Sequence, residues 1–511
     1  MSSRALSVHE LLHGRAVAGG AADIVVRGLT LDSRRVNQGD AFVALSGTQT
    51  HGIQFMPMAA ARGAAVVLAE ASPLAHQADV AQKNPELPIV WVDGLRDELG
   101  AIAARFFGEP SKTLSVIGVT GTNGKTSTVQ LLAQALQHAG RTAATIGTLG
   151  AGLHGAIREG ERTTPDAIAV QGLLAEFRDA GASHVAMEVS SHALEQGRVN
   201  AVGFDLAVFT NLSRDHLDYH GSMQAYGAAK QRLFAWPGLR AAIINIDDAF
   251  GRALASGLDT PSERDADKAS GRVQTVLRYG VENDGADVVA RSIASDAGGQ
   301  HFHLTTPWGE GAITTRLLGR FNVSNLLAVV ACLGQLGVPF AQIAGALAAL
   351  DPVAGRMNRL GGNGAQPLVV IDYAHTPDAL EQALTSLRAH CAGQLICVFG
   401  AGGERDAGKR PQMGAIAEAL ADRIVVTDDN PRGENGDRIV EQIIEGLTHP
   451  QRAIIERDRA AAIAQAIASA QSGDIVLIAG KGHEPYQEVA GTKRPFDDLA
   501  IARDVLEQRA C

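Results

Sequence analysis

The sequence predicts an α/β protein of three domains, and three observations carry that reading. Its 511 residues exceed what one core sustains, since domains average ~150 residues and single cores stop growing near ~250–300. Strand–turn–helix alternation starts after Gly108-Glu109-Pro110-Ser111 and restarts after Asp351-Pro352, and such alternation builds parallel sheets covered by helices. Glycine is 57 of 511 residues and aromatics only 4%, which suits many tight strand-to-helix turns. The expected divisions are 1–110, 111–351 and 352–511.

The first region mixes short apolar runs with turns. Phe42-Val43-Ala44-Leu45, Ala65-Val66-Val67-Leu68 and Ile89-Val90-Trp91-Val92 read as strands. In the second, Leu114 to Val119 is a buried strand, followed by a helix with Val129, Leu132, Ala133 and Leu136 on one face and Gly140 at its end. His184 to Val189, Leu206 to Thr210 and Ala241 to Ile246 are further strands. Between Asp287 and Leu318, His301-Phe302-His303-Leu304-Thr305, Pro307-Trp308-Gly309 and Ile313-Thr314-Thr315 predict a hairpin, an antiparallel addition to the central sheet. The third region alternates again through Leu368 to Ile371, Gln394 to Phe399, Arg423 to Thr427 and Asp474 to Ile478, a Rossmann-like pattern.

Lys+Arg 45 against Asp+Glu 55 gives a net charge of −10, so no global field attracts nucleic acid or anionic lipid. The scarce aromatics argue against a base-stacking platform. Cys332, Cys391, Cys397 and Cys511 form no CxxC pair and no zinc spacing, and scattered thiols fit a reducing cytoplasm. Met1 to Gly20 has no apolar signal core, and Leu326 to Val338 is too short for a membrane span. The expectation is a cytoplasmic monomer acting on small molecules.

Gly118-Val119-Thr120-Gly121-Thr122-Asn123-Gly124-Lys125-Thr126-Ser127 follows a strand and opens a helix. Glycines let backbone N–H groups turn towards phosphate oxygens, and the helix N-terminus adds positive potential. Lys125 can reach β/γ-phosphates and the Thr126 hydroxyl can ligate Mg²⁺. The strict phosphate-loop pattern has glycine where Val119 stands, so this is a variant. It predicts nucleotide binding but names no reaction.

Glu188 ends one strand, and Asn211-Leu212-Ser213-Arg214-Asp215-His216-Leu217-Asp218 follows another. Loops at the carboxyl ends of parallel strands converge on the ligand, so Glu188 and His216 are candidate Mg²⁺ ligands beside the phosphate loop. Lys230, in Tyr226-Gly227-Ala228-Ala229-Lys230, reads by itself as a helix-surface lysine.

The constellation resembles the Mur ligase family. Gly121…Thr126, Glu188-Val189-Ser190-Ser191-His192, Asn211…Asp215-His216-Leu217-Asp218-Tyr219-His220, Tyr226…Lys230, Asn322…Asn325 and Asp372-Tyr373-Ala374-His375-Thr376-Pro377 occur in the family's order. Leu31-Asp32-Ser33-Arg34 with Gly39…Ala44 extends the match, and Asp429-Asn430-Pro431-Arg432 narrows it to the diaminopimelate-adding members. The resemblance implies a UDP-binding first domain, a central ATPase and a third, amino-acid-binding domain. It implies a peptidoglycan-precursor reaction: ATP activates the D-Glu carboxylate of UDP-MurNAc-L-Ala-D-Glu as an acyl phosphate, and an amine of meso-2,6-diaminopimelate displaces phosphate. It makes Lys230 a carbamylated lysine that shares Mg²⁺ with Thr126, Glu188 and His216. It assigns Asn325 to adenine, Arg356 and Asp372 to closure on the nucleotide, and Leu31, Ser33, Thr48, Gln49, Thr50, Thr163, Thr164, Ser191, Gln196 and Arg198 to the UDP-sugar peptide. Arg162 stands where some members have Asn, so that contact is not carried over.

Gly400-Ala401-Gly402-Gly403-Glu404-Arg405 lacks the last glycine of a dinucleotide fingerprint. With Asp429-Asn430-Pro431-Arg432 and Gly480-Lys481-Gly482-His483-Glu484 it supplies three loops to one edge. A guanidinium fork suits a carboxylate and a carboxylate suits an ammonium, and Arg405, Arg432 and Glu484 have those charges. Asp429-Asn430-Pro431-Arg432 by itself reads equally as a turn, and it is the resemblance that makes Arg405, Asp429, Asn430, Pro431, Arg432, Gly480 and Glu484 the expected diaminopimelate site. The alternatives are a lysine-adding ligase or a folylpolyglutamate synthase on the same core, and a nucleotide-dependent switch without turnover.

Overall fold

The computed structural model describes residues 5–13, 20–47, 50–72, 86–259, 273–296, 299–362 and 364–510. Three large sheets follow one another along the chain, each parallel over most of its width, beside two small antiparallel ribbons. The first has strands Leu29–Thr30, Ala41–Ala44, Val66–Glu70 and Ile89–Val92 in that order, all parallel. Ala41 to Ala44 are buried throughout, as a strand covered on both faces requires. Helix Leu95–Phe107 buries Leu95, Leu99, Ile102, Ala103 and Phe106 as one stripe and ends at Gly108 in the left-handed region, φ +75°. It packs on helix Ala167–Asp179 of the middle region. Gly100 there admits no side chain, since a Cβ would lie 2.1 Å from the Asn200 carbonyl oxygen.

The central sheet has ten strands. From one edge they are Gly309–Thr315, Gly299–Thr306, Val288–Asp296, Thr275–Val281, Ala241–Asn245, Leu206–Phe209, Ser115–Thr120, His184–Glu188, Ala143–Gly147 and Gly150–Leu153. Ser115–Thr120 lies between His184–Glu188 and Leu206–Phe209 and is parallel to both, with Val119 opposite Glu188 and Thr120 opposite Phe209. Chain order reverses there, and that is where open α/β sheets bind ligands. Helices Lys125–His138 and Arg320–Gln335 cover one face, where Val129, Leu132, Leu136, Leu326 and Val330 share a core. The other face buries Leu174, Phe177, Phe204 and Phe209.

The expected hairpin is present and pairs Phe302 with Ile313, both buried. It belongs to a three-stranded antiparallel extension that includes Val288–Asp296. Strands Ala143–Gly147 and Gly150–Leu153 escaped the sequence reading because Ala and Gly give little apolar contrast.

The third sheet runs Asn358–Gly361, Leu368–Asp372, Ile475–Ala479, Leu395–Phe399, Arg423–Val426 and Ala453–Ile455, antiparallel only at the first pair. Asp372 therefore ends one strand, and Gly400, Asp429 and Gly480 follow three others, all at one edge. No helix among the described residues is long and apolar enough to cross a membrane.

Candidate active site

Gly121 to Gly124 form the turn between strand Ser115–Thr120 and helix Lys125–His138. Gly121 has φ +147°, and a Cβ on it would meet Thr210 Oγ1 at 1.9 Å. A Cβ on Gly124, at φ +85°, would lie 2.6 Å from Asn325 Oδ1. The neighbouring strand end holds the loop from the side: Asn211 O accepts from Thr122 N at 2.8 Å, Asn211 Oδ1 accepts from Asn123 N at 2.9 Å, and Thr210 Oγ1 donates to Asn123 O at 2.6 Å. The first N–H groups of a helix lack intrahelical partners, an anion-binding arrangement. Ser127 stands on the wall of the adjoining cavity.

Lys125 Nζ folds back to donate to Gly121 O at 2.9 Å and Thr122 O at 2.8 Å. Lys230 Nζ donates to the same Gly121 O at 2.7 Å. Lys230 is 1% exposed and its ammonium lies 4.3 Å from the Tyr226 ring centroid, which corrects the reading of it as a helix-surface lysine. Burial, reinforced by Lys125, pushes its proton affinity well below the lysine range. A neutral amine is the form that adds CO₂, so the site suits the carbamate that the resemblance implies.

Thr126 Oγ1 donates to Glu188 Oε1 at 2.9 Å, and Thr148 donates to Glu188 through its backbone N at 2.8 Å and its hydroxyl at 3.2 Å. His216 takes φ +54° at the start of a one-turn helix, its Nε2 3.4 Å from Asp215 Oδ2. Burial lowers its pKa to about 4 against the opposing pull of Asp215, so it is a neutral imidazole able to ligate metal. His192 packs edge-on against it at 4.9 Å and is likewise pushed down to about 4, chiefly by burial. Among the described residues no group of three or more His, Cys, Asp or Glu side chains could hold a metal by itself. The donors present beside the phosphate loop, the Glu188 carboxylate and the Thr126 hydroxyl, are of the oxygen type that Mg²⁺ takes together with phosphate oxygens and water.

A cavity of about 450 Å³ opens from this loop towards the third sheet, bounded by Gly124, Ser127 and Asn325 on one side and by Arg356, Asp372 and Tyr373 on the other. Asn325 is held by Asn322 at 3.1 Å, and Asn322 by Leu318 O at 2.7 Å. The third region reaches across the opening. Arg356 Nη2 donates to Thr126 Oγ1 at 3.3 Å and its guanidinium stacks 4.4 Å from the Tyr373 ring. Asn123 Nδ2 donates to Asp378 Oδ2 at 2.8 Å. Asp372 accepts from Met357 N at 2.9 Å, and its burial raises its pKa.

The residues expected to hold the sugar peptide divide into two groups. Thr163, Thr164, Ser191, Gln196 and Arg198 belong to one edge of the central site. Thr164 Oγ1 donates to Glu188 O at 2.8 Å, Arg198 Nη1 to Thr164 O at 3.0 Å, and Gln196 Nε2 to Tyr219 OH at 3.0 Å. Thr163 Oγ1 pairs with Thr148 Oγ1 at 3.1 Å, and Ser191 Oγ with His220 Nε2 at 2.9 Å. Leu31, Ser33 and Thr50 stand on the first sheet's side, and Arg35 to Glu161 at 3.1 Å bridges towards the central group. Thr48 and Gln49 lie outside the described residues.

At the third sheet's edge Asp429, Asn430, Lys481 and Glu484 interlock. Asn430 Nδ2 donates to Glu484 Oε2 at 2.7 Å. The fully buried Lys481 Nζ lies 3.0 Å from Asn430 Oδ1, 3.4 Å from Glu484 and 3.7 Å from Asp429. A Cβ on Gly480 would crowd Asp429 Oδ2 at 3.1 Å. Pro431 is buried. Arg432 Nη1 donates to Gly403 O at 2.7 Å and its Nε lies 3.9 Å from Glu488, so without ligand it is already partnered. Arg405 is exposed beside it, the two flanking Gly402.

Sequence reasoning assigned no role to Thr210, Asp378 or Lys481. Thr210 ends a predicted strand and Lys481 lies in the loop after another, positions that could have marked them. Asp378 carries no such signal, since only the packing of the third region on the second brings it to Asn123.

Profiles described as Mur ligase family, catalytic domain, Mur ligase middle domain, and Mur ligase, glutamate ligase domain match residues 25–107, 119–333 and 355–482. The chain belongs to the Mur ligase family. It is 55% identical to the UDP-N-acetylmuramoyl-L-alanyl-D-glutamate–2,6-diaminopimelate ligase of Xanthomonas campestris pv. campestris strain 8004, over 99% of this chain and 98% of that protein. It is 51% identical to the ligase of the same name in Pseudomonas aeruginosa PAO1, over 95% and 96%. A solved structure of a UDP-N-acetylmuramoyl-L-alanyl-D-glutamate–2,6-diaminopimelate ligase superposes with a TM-score of 0.70 at 34% identity, covering 99% of this chain and all of the other.

Proposed function

We propose that this chain is an ADP-forming ligase that joins meso-2,6-diaminopimelate to the D-Glu carboxylate of UDP-N-acetylmuramoyl-L-alanyl-D-glutamate. Residues 1–110 would hold the uridine diphosphate end, 111–351 the ATP and 352–511 the amino acid. The observation that carries this is the meeting of two sets of groups at one seam: Lys125, Lys230, Thr126 and Glu188 from the central sheet, and Arg356 from the third, donating to Thr126.

The chemistry follows from the placement. A carboxylate is too poor an electrophile for an amine, so it must first be phosphorylated. Lys125, beside the phosphate loop, offsets the repulsion between the D-Glu carboxylate and the γ-phosphate. Mg²⁺ held by Thr126, Glu188, His216 and the Lys230 carbamate would supply further charge neutralisation at the phosphates. Asn325, Arg356 and Asp372 border the nucleotide cavity. Thr163, Thr164, Ser191, Gln196 and Arg198 orient the peptide end. On the amino-acid side, Glu484 and Asp429 take the ammonium of the distal zwitterion, and Arg405 and Arg432 its carboxylate.

The deciding experiment is ADP release with UDP-N-acetylmuramoyl-L-alanyl-D-glutamate and ATP, meso-diaminopimelate being compared with L-lysine. Release that requires both co-substrates and strongly prefers diaminopimelate is expected. Equal turnover with lysine would reassign the amino-acid site, and nucleotide hydrolysis independent of either would remove the ligase reading.

A further inference from the structure

Lys481 lies behind the amino-acid loops with none of its surface exposed, a place lysine occupies only when its charge is matched. What matches it is the pair of carboxylates assigned above to the substrate ammonium: its Nζ lies 3.4 Å from Glu484 Oε2 and 3.7 Å from Asp429 Oδ1. Both carboxylates keep some exposed surface, so they border solvent with the lysine behind them. The third contact of Lys481, 3.0 Å to Asn430 Oδ1, fixes that amide. Lys481 Nζ and Glu488 N, the latter at 2.9 Å from the same oxygen, can only donate. Asn430 Oδ1 must therefore face both, which turns Nδ2 to Glu484 Oε2 at 2.7 Å.

The charges gathered here do not cancel. Arg459 is matched by Asp498 at 2.7 Å, and Arg432 faces Glu488 at 3.9 Å. Tyr373 OH donates to Glu484 Oε1 at 3.5 Å, and burial raises its pKa, so it keeps its proton. His483, in the same loop as Lys481, is pushed down to about 4, chiefly by burial, and is neutral. The Tyr486 ring lies 5.6 Å from the Lys481 ammonium, and the exposed Lys493 lies 4.0 Å from that ring, where water screens it. Lys481 contributes +1, and Asp429 with Glu484 contribute −2, which leaves −1. The acceptor side is also unfinished, since Asp429 Oδ1 is buried and accepts no hydrogen bond.

We propose that Lys481 is a positioning residue that sets the charge of the amino-acid site: it offsets one of the two carboxylates and, through Asn430, aims Glu484, so that the pair receives a single substrate ammonium. This rests on the ligase reading above. Binding of that ammonium brings the local charge to zero, which removes the cost of an unmatched ion in a partly dry site. A ligand without the distal ammonium leaves the surplus charge in place and is rejected. Lys481 acts from behind and keeps its own protons throughout. Without it, two carboxylates share one vacated space, a proton is the nearest cation to join them, and the substrate ammonium has to displace that proton.

The test is steady-state ADP release by full-length wild type and Lys481→Met, each of the three substrates varied in turn, from pH 6.5 to 8.5. Lys481→Met should raise KM for diaminopimelate at least about tenfold at the acid end, with KM for ATP within about threefold of wild type. The ratio of the two proteins' KM values for diaminopimelate should shrink as pH rises, because the competing proton is lost. A ratio within about threefold at every pH overturns the proposal. So does a raised ratio that is the same at every pH, which would make Lys481 a packing residue only. An equal rise in KM for ATP overturns it as well. Circular dichroism checks folding. Should Lys481→Met not fold, Lys481→Gln keeps a donor for Asn430 Oδ1 without the charge: a raised, pH-dependent KM for diaminopimelate supports the proposal and an unchanged one overturns it. Failure of the ligase reading looks different, because wild type itself would then release no ADP.

Discussion

Lys125 and Lys230, far apart in sequence, donate to one oxygen: Gly121 O accepts from Lys125 Nζ at 2.9 Å and from Lys230 Nζ at 2.7 Å. Two ammonium groups on one carbonyl repel each other in a partly dry site, so one must be neutral or an anion must join them. Both solutions serve the proposed chemistry, since phosphate satisfies Lys125 and carbamylation turns Lys230 from a cation into an anion. Lys125→Ala should fold and release no ADP. Lys230→Ala should be inactive, with partial recovery in short carboxylic acids, and full turnover without additives would make Lys230 a structural lysine.

The same burial makes a pH prediction. Unfolded, Lys230 titrates near 10.5, and folded it titrates well below that. Between the two values the unfolded chain binds more protons, so stability falls as pH falls through that window. Lys230→Met should therefore stabilise the protein, most at neutral pH and progressively less as pH approaches 10.5. Thermal unfolding of both proteins across pH 6–10 is the check, and a pH-independent difference would contradict it.

Gly121→Ala should abolish nucleotide binding without unfolding the chain. The new Cβ would sit 1.9 Å from Thr210 Oγ1 at a backbone φ of +147°, so the loop must move and its N–H groups turn away from phosphate. Nucleotide titration by calorimetry should show binding weakened by at least about a hundredfold; the lost contacts are charge-assisted hydrogen bonds of ~1.5–3 kcal/mol each. Wild-type affinity would mean the nucleotide sits elsewhere.

Arg432→Ala should raise KM for diaminopimelate by roughly tenfold to a hundredfold and leave KM for ATP nearly unchanged. Arg432→Lys should recover only part, because an ammonium lacks the planar fork. The resting contacts of Arg432 with Gly403 O and Glu488 must be exchanged for substrate, which favours the lower end of that range. Unchanged KM would leave Asp429-Asn430-Pro431-Arg432 as a turn.

Arg459 and Asp498 form a bidentate pair at 2.8 and 2.7 Å with neither side chain exposed. The same guanidinium donates to Ala479 O at 3.0 Å and Asp428 O at 3.4 Å, the carbonyls preceding Gly480 and Asp429. Asp498→Ala leaves a buried cation and should cost ~3–5 kcal/mol in denaturant unfolding. Surviving folded enzyme should show a raised KM for diaminopimelate, as both loops lose their common anchor. A loss under ~1 kcal/mol would show the pair to be solvated.

Much of this protein is written locally. Strand–turn–helix alternation, the glycines of the phosphate loop and the carboxylate or imidazole following each strand need only short-range sequence, because parallel strands present their following loops on one edge. That is why Gly121, Lys125, Thr126, Glu188 and His216 could be placed together from the chain alone, and why the strands of Ala143–Gly147 and Gly150–Leu153, poor in large apolar residues, could not.

Burial and cross-region contact are decided elsewhere. Lys230 reads as an exposed helix lysine until Tyr226 and the phosphate loop close over it, since helical periodicity says nothing of what packs on a given face. Asp378 reaches Asn123 because the third sheet docks on the second, a relation between residues hundreds of positions apart that no local pattern encodes. Arg432, expected from the sequence to await a substrate carboxylate, is already partnered by Gly403 O, since only the folded loop brings that carbonyl within reach. Residue type and spacing determined which chemistry this chain carries; the tertiary structure decided which charges lose their water, and it is desolvation that makes them reactive.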